Sequence, residues 1–229
     1  MPITLSRRQL IGGTTLGAAA MAAPAWARGG DLAHNGLLRA GFDEVHGREI
    51  DLTIGEGHRI VQGRRGHAVA VNGSVPGPLV RLKEGEPVRI NVTNTLDTDS
   101  SIHWHGLLVP FHMDGVPGVS FPGIKPGETF KYQFKVPQNG TYWYHSHSGL
   151  QEQLGHYGPI VIDPAGTDPV AYDREYVLVL SDWSFTHPHR IFDKLKKNAE
   201  SLNFNRPTLS NPTGLGGMWG QMRMSPRDL

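Results

Sequence analysis

Cysteine is absent from the sequence, so this chain supplies no thiolate ligand, thiol nucleophile, redox pair or disulfide. A domain of this size folds without disulfides, and their absence does not exclude an oxidising compartment. An excess of one charge is lacking too, with 22 Lys and Arg against 21 Asp and Glu. That balance offers no basic surface for nucleic acid. Few stretches look helical, and the longest apolar run, at residues 11–23, falls short of the roughly 20 residues that a spanning helix needs. What the chain does have is 29 Gly and 17 Pro, with 38% hydrophobic and 19% charged residues. This composition favours a soluble all-β protein with many turns. Its 229 residues suffice for one domain and part of a second.

The first segment reads as an address. Ser6-Arg7-Arg8-Gln9-Leu10 precede the apolar Gly/Ala-rich run, Pro24 breaks it, and Ala25-Trp26-Ala27 places small residues around a cleavage site. The paired arginines make residues 1–27 resemble a twin-arginine signal peptide. The expectation is a periplasmic protein, handed over by the twin-arginine export machinery and free of the membrane once mature. Removing the leader takes away Arg7 and Arg8, leaving 20 basic against 21 acidic residues.

Residues 28–48 are polar, Gly-rich and without period, and read as a flexible arm. Strand-like alternation follows. Ile50, Leu52 and Ile54 alternate with Asp51 and Thr53; Val69 and Val71 precede the turn residues Asn72-Gly73. Val88, Ile90 and Val92, then Phe130, Tyr132 and Phe134, repeat the pattern, as do Tyr142 and Tyr144 around Trp143, with Ile160 and Ile162 after them. Short runs of period two bounded by Gly, Pro, Asn or Asp predict a β-sandwich or barrel, here over 49–166. A second unit is expected over 167–229, with a strand at 176–180, helical character at 191–202 and no closing element, as though the chain stopped inside that domain.

Two segments carry the chemistry, His103-Trp104-His105-Gly106 and His145-Ser146-His147. Residues i and i+2 of a strand face the same side. Each pair can therefore aim two imidazoles at one place while Trp104 or Ser146 points away. Neutral imidazole suits copper, zinc, iron and nickel alike. One such pair is weak evidence; two on strand-like segments beside aromatic residues are far more specific.

The words around the pairs narrow the choice. Asn72-Gly73-Ser74-Val75-Pro76-Gly77-Pro78, Ser101-Ile102-His103-Trp104-His105-Gly106, Met113-Asp114-Gly115-Val116-Pro117 and Gly140-Thr141-Tyr142-Trp143-Tyr144-His145-Ser146-His147 occur in that order. The series resembles the first cupredoxin domain of multicopper oxidases. Gln151-Glu152-Gln153, Ser181-Asp182-Trp183 and residues 218–226 look like the CopA-type copper-resistance branch of that family, and the likeness extends over 51–229. It implies a cupredoxin-like Greek-key β-sandwich followed by the truncated start of a second cupredoxin-like domain. It also implies copper as cofactor, with His103 a ligand of the type 2 copper and His105, His145 and His147 ligands of the type 3 pair. Four more histidines and the type 1 copper site would come from C-terminal cupredoxin domains. The cluster of the whole oxidase reduces O2 to water.

The resemblance further places Asp114 near the cluster, where it would orient a ligand or relay protons; Asp114-Gly115 equally reads as a plain turn. Because a type 1 site needs a thiolate, this chain alone is expected to be inactive. The expected function is the N-terminal part of a periplasmic copper-resistance oxidase, with copper ions and O2 as partners. The alternatives are a non-catalytic periplasmic module that buffers copper, or a zinc-binding or copper-free cupredoxin relative.

The remaining histidines, His34, His46, His58, His67, His112, His156, His187 and His189, read mostly as exposed, and His187-Pro188-His189 as a loop. Met218, Met222 and Met224 read as packing or loop residues rather than thioether ligands. Trp104 and Trp143 read as core or cluster-shell residues.

Overall fold

The computed structural model describes residues 41–199 and 202. The expected leader (1–27), His34, most of the arm and the three late methionines lie outside the described residues. Those up to Trp183 belong to one compact unit and those from Ser184 onward to another.

The first unit is a sandwich of two sheets, as the alternation predicts. Its nine strands are β1 (Glu44–His46), β2 (Glu49–Val61), β3 (Arg64–Val71), β4 (Leu79–Lys83), β5 (Pro87–Asn94), β6 (His103–His105), β7 (Thr129–Lys135), β8 (Gly140–His145) and β9 (Tyr157–Asp163). One sheet runs β3-β2-β5-β7 and the other β1-β4-β9-β8-β6. Period-two patterning sets the register. Ile50 lies beside Ile90 and Leu52 beside Val92 across the parallel β2/β5 pair, while Ile90 faces Tyr132 and Val88 faces Phe134 across antiparallel β5/β7. All of these side chains are buried. Burying each Ile or Leu contributes roughly 1.5–3 kcal/mol, so a one-residue slip would expose the whole row.

The structure departs from the sequence reading in four places. Within the expected arm, Glu44–His46 forms β1 and pairs in parallel with β4; three residues are too few to show a period. Strand β4 carries no turn-bounded alternation long enough to read, yet it sits between β1 and β9. Residues 176–180, expected as a strand, join no ladder among the described residues. They keep the two-residue period, with Tyr176, Leu178 and Leu180 exposed and Val177 and Val179 partly covered. Period alone does not supply a hydrogen-bonding neighbour. The fourth departure is the segment expected as a loop, which opens a helix.

That helix, α1 (Pro188–Lys197), belongs to the second unit. Pro188 occupies its first turn, where a missing N–H costs nothing, and the Nδ1 of His187 accepts from the backbone N–H of His189. Lys194, Lys196 and Lys197 lie in its last turn, where cations complement the exposed carbonyls.

Candidate metal centre

Strand β6 is an edge strand, and its only three residues are His103, Trp104 and His105. It pairs antiparallel with β8, placing His103 opposite His145, Trp104 opposite Tyr144 and His105 opposite Trp143. The alternation then sorts the side chains. Trp104 and Tyr144 enter the core, where Trp104 meets Tyr132 edge-on at 5.1 Å between ring centroids. His103, His105 and His145 share the opposite face with Trp143, whose ring stacks on His145 at 4.2 Å and on His105 at 5.0 Å.

Possible ligand atoms of His103, His105 and His145 all lie within 4.8 Å of one another. His147 follows the end of β8. Its ring centroid is 5.7 Å from that of His103 and 6.2 Å from that of His145, but it is not part of this tight trio. Its backbone is nevertheless fixed, since His147 N–H donates to Ser101 Oγ at 3.0 Å and Ser148 Oγ donates to the same oxygen at 2.8 Å. Ser101 itself is fully buried. The four histidines singled out by sequence therefore gather at one sheet edge, three closely and the fourth beside them.

Hydrogen bonds decide which nitrogens face the centre. His103 Nδ1–H donates to the carbonyl of Asp114 at 2.7 Å, and His145 Nδ1–H to the carbonyl of Ser146 at 2.9 Å. Both Nε2 atoms are thereby left with a lone pair. His145 Nε2 lies 3.2 Å from His105 Nδ1. Two imidazole nitrogens at that separation fit around one ion with bonds of about 2.0–2.1 Å and a near-tetrahedral angle. The donor set thus fits a metal that takes neutral imidazole. With the His145 proton on Nδ1, His105 Nδ1–H donates to His145 Nε2, and an ion held between these two nitrogens would require that proton to leave His105 Nδ1.

Electrostatics favour the neutral ligand form. His145 is held below the ordinary imidazole range chiefly by burial, with the neighbouring His103 and His105 adding repulsion. The Ser146 carbonyl and the Glu152 carboxylate act in the other direction.

The turn behind His103 is set by a glycine. Gly115 has φ +81°, and a Cβ there would collide with the carbonyl oxygen of Ile102. Only glycine lets this loop approach β6 closely enough to bring the Asp114 carbonyl to His103. The Asp114 carboxylate sits 3.5 Å from the same Nδ1. Asp114 is thus both a turn residue, its N–H donating to Phe111 O at 3.2 Å, and a neighbour of the cluster.

Two participants escaped the sequence reading. Glu152 places a carboxylate oxygen 2.9 Å from His145 Nδ1. The sequence reading noted it only as part of the Gln151-Glu152-Gln153 stretch, because a single acid on a turn looks like surface and nothing there points to His145. His156, expected to be exposed, is fully buried, and neither ring nitrogen has a hydrogen-bond partner among the described residues. His46, His58, His67, His112, His187 and His189 are exposed, as read.

Comparison with known proteins gives the family and the fold. A sequence profile described as multicopper oxidase matches residues 53–167. Copper resistance protein A of Escherichia coli is 45% identical, covering 100% of this chain and 39% of its own length. A copper resistance protein A homolog from Pseudomonas syringae pv. tomato is 44% identical, covering 100% of this chain and 40% of its own. The chain therefore spans about two fifths of these relatives. Among solved structures, a blue copper oxidase from Nitrosomonas europaea superposes with a TM-score of 0.51 at 39% identity, covering 55% of this chain and 41% of that one. The L499M mutant of a laccase from B. aclada gives 0.61 at 36% identity, covering 69% and 30%. These neighbours share the cupredoxin-like sandwich described above.

Proposed function

Because this chain belongs to the multicopper oxidase family, we propose that it is the N-terminal part of a periplasmic copper-resistance oxidase and that His103, His105, His145 and His147 are its ligands to a cluster of copper ions. The carrying observation is that three imidazoles bring candidate ligand nitrogens within 4.8 Å of one another, two of the rings with Nε2 freed by a backbone hydrogen bond. His103 is taken as a type 2 ligand and the other three as type 3 ligands.

Copper held in such a cluster would pass to O2 the four electrons that an external donor delivers through the type 1 site, and with four protons from water O2 would become two waters. The chain's own residues hold and orient ligands. His103 and His145 present neutral, oriented nitrogens, and Trp143 covers one face of His145 and His105. Asp114 holds His103 through its carbonyl, and its half-buried carboxylate stands ready to hold or pass a proton beside that ring. Asp114 is thereby assigned both a positioning role and, in the whole oxidase, a proton-relay role.

The remaining cluster ligands and the thiolate of a type 1 site are assigned to C-terminal cupredoxin domains of the longer protein, since this chain has no cysteine. Export through a twin-arginine signal at 1–27 fits the reading, and no helix among the described residues is long and apolar enough to cross a membrane. A second reading, a copper-holding module without turnover, draws on the missing cysteine and the exposed His105 and His147. Copper loading of the purified chain tests the proposal. We expect Cu(II) to bind without a thiolate-to-copper absorption band and without oxidation of phenols or Cu(I). Turnover by this polypeptide alone, or no copper binding at all, would overturn it.

A further inference from the structure

The turn that follows the second histidine pair folds back onto it. Gln151 is pinned there through both its side chain and its backbone. Its Oε1 accepts from Ser100 Oγ at 2.7 Å and from Ser146 Oγ at 2.8 Å, its Nε2 donates to the Asp99 carbonyl at 2.9 Å, and its own carbonyl accepts from His156 N–H at 3.2 Å. Ser100 and Ser146 are buried. The next residues, Glu152–Leu154, form a single 3-10 turn. So anchored, the turn delivers the Glu152 carboxylate to 2.9 Å from His145 Nδ1.

The Nδ1–H itself donates to the Ser146 carbonyl at 2.9 Å. The carboxylate therefore acts as a charge beside an N–H whose bond is already made. Its effect on the two neutral tautomers is opposite. With hydrogen on Nδ1 the acid faces a positive dipole; with the lone pair there it faces a negative one. A carboxylate behind a ligating histidine fixes the tautomer, and it also makes the far nitrogen a better donor.

We propose that Glu152 is a positioning residue for His145, acting together with the Ser146 carbonyl to keep the proton on Nδ1 and the lone pair on Nε2, where His105 faces it. The proposal rests on the reading of His145 as a metal ligand. It adds a residue that touches no metal and is placed by a buried polar anchor instead of by the strand pattern.

The test uses the purified full chain with 15N-labelled histidine and has two readouts. The first is the tautomer of the His145 ring in the metal-free protein, from long-range 1H–15N spectra. The second is Cu(II) affinity by competition with a chelator. For Glu152→Ala we expect a mixed His145 tautomer and a loss of affinity of roughly 10–100-fold. Glu152→Gln, whose amide oxygen still faces Nδ1, keeps the tautomer and recovers part of the affinity. Gln153→Ala, on the same turn, changes neither. Unaltered ring signals and affinity in Glu152→Ala would overturn the proposal, as would an equal loss in Gln153→Ala. Failure of the unmutated chain to bind Cu(II) would instead overturn the metal reading, and the ring spectra would still decide whether Glu152 sets the tautomer.

Discussion

His145 and His156 illustrate what burial does to an imidazole with and without partners. His145 keeps a carbonyl, a carboxylate and a second imidazole around its two nitrogens. His156 has none of these and is pushed down to about 3, by desolvation first and by the nearby His145 second. The consequence for stability has a definite sign. Above the unfolded value of about 6.5 both states are neutral and the full stability is present. As pH falls below that, the unfolded chain takes up a proton that folded His156 refuses, so stability declines toward pH 3 with a slope approaching ~1.4 kcal/mol per pH unit. We expect His156→Leu to flatten this acid slope and to raise stability at pH 5, since an apolar side chain removes an unsatisfied buried polar group. Urea titrations at pH 7, 6 and 5 check it, and an unchanged slope would contradict it. Nothing in the local sequence marks His156 as buried. Gly155 before it and Tyr157 after it look like any turn leading into a strand, and its burial comes from long-range packing.

At the scale of elements, the site is made by a short edge strand and the loop that supports it. The period-two reading of His103/His105 and of Tyr142/Tyr144 places the right side chains on the right faces: Trp104 and Tyr144 are buried, and Trp143 lies with the imidazoles. Legibility ends where the strand does. His147 lies past β8, and its position depends on the buried hydroxyl of Ser101, which no alternation reveals. The same limit applies to residues 176–180, where a correct period lacks a ladder partner among the described residues. Gly115 offers the sharpest test of the supporting loop. Gly115→Ala adds a Cβ against the Ile102 carbonyl at a positive φ. We expect a loss of at least ~2 kcal/mol in stability and a weakened hold on copper, because the Asp114 carbonyl must move away from His103. Denaturant melts and copper competition on the same sample measure both, and a neutral outcome in both would show that the close approach does not matter.

For the molecule as a whole, the fold was readable because β-sandwich patterning repeats many times, and errors in single strands do not alter it. The gathering of the histidines was readable because His103, His105 and His145 lie on strands that turn out to be neighbours, with His147 just past the second. The supporting contacts were not, since the stretches that hold Ser101, Gln151 and Glu152 do not reveal what those side chains touch until the chain folds. Exposed His105 and His147 leave the cluster open at an edge strand of the larger sheet. Such an arrangement is suited to completion by ligands from elsewhere, and the chain spans only about two fifths of its copper-resistance relatives.

One measurement goes straight to the proposed metal centre, namely electron paramagnetic resonance of the chain loaded with substoichiometric Cu(II). We expect nitrogen superhyperfine coupling from more than one imidazole in the unmutated protein, reduced in His103→Ala and in His145→Ala and unaffected in His58→Ala or His67→Ala. An identical spectrum in all of these proteins would place the copper away from the β6/β8 edge and contradict the assignment.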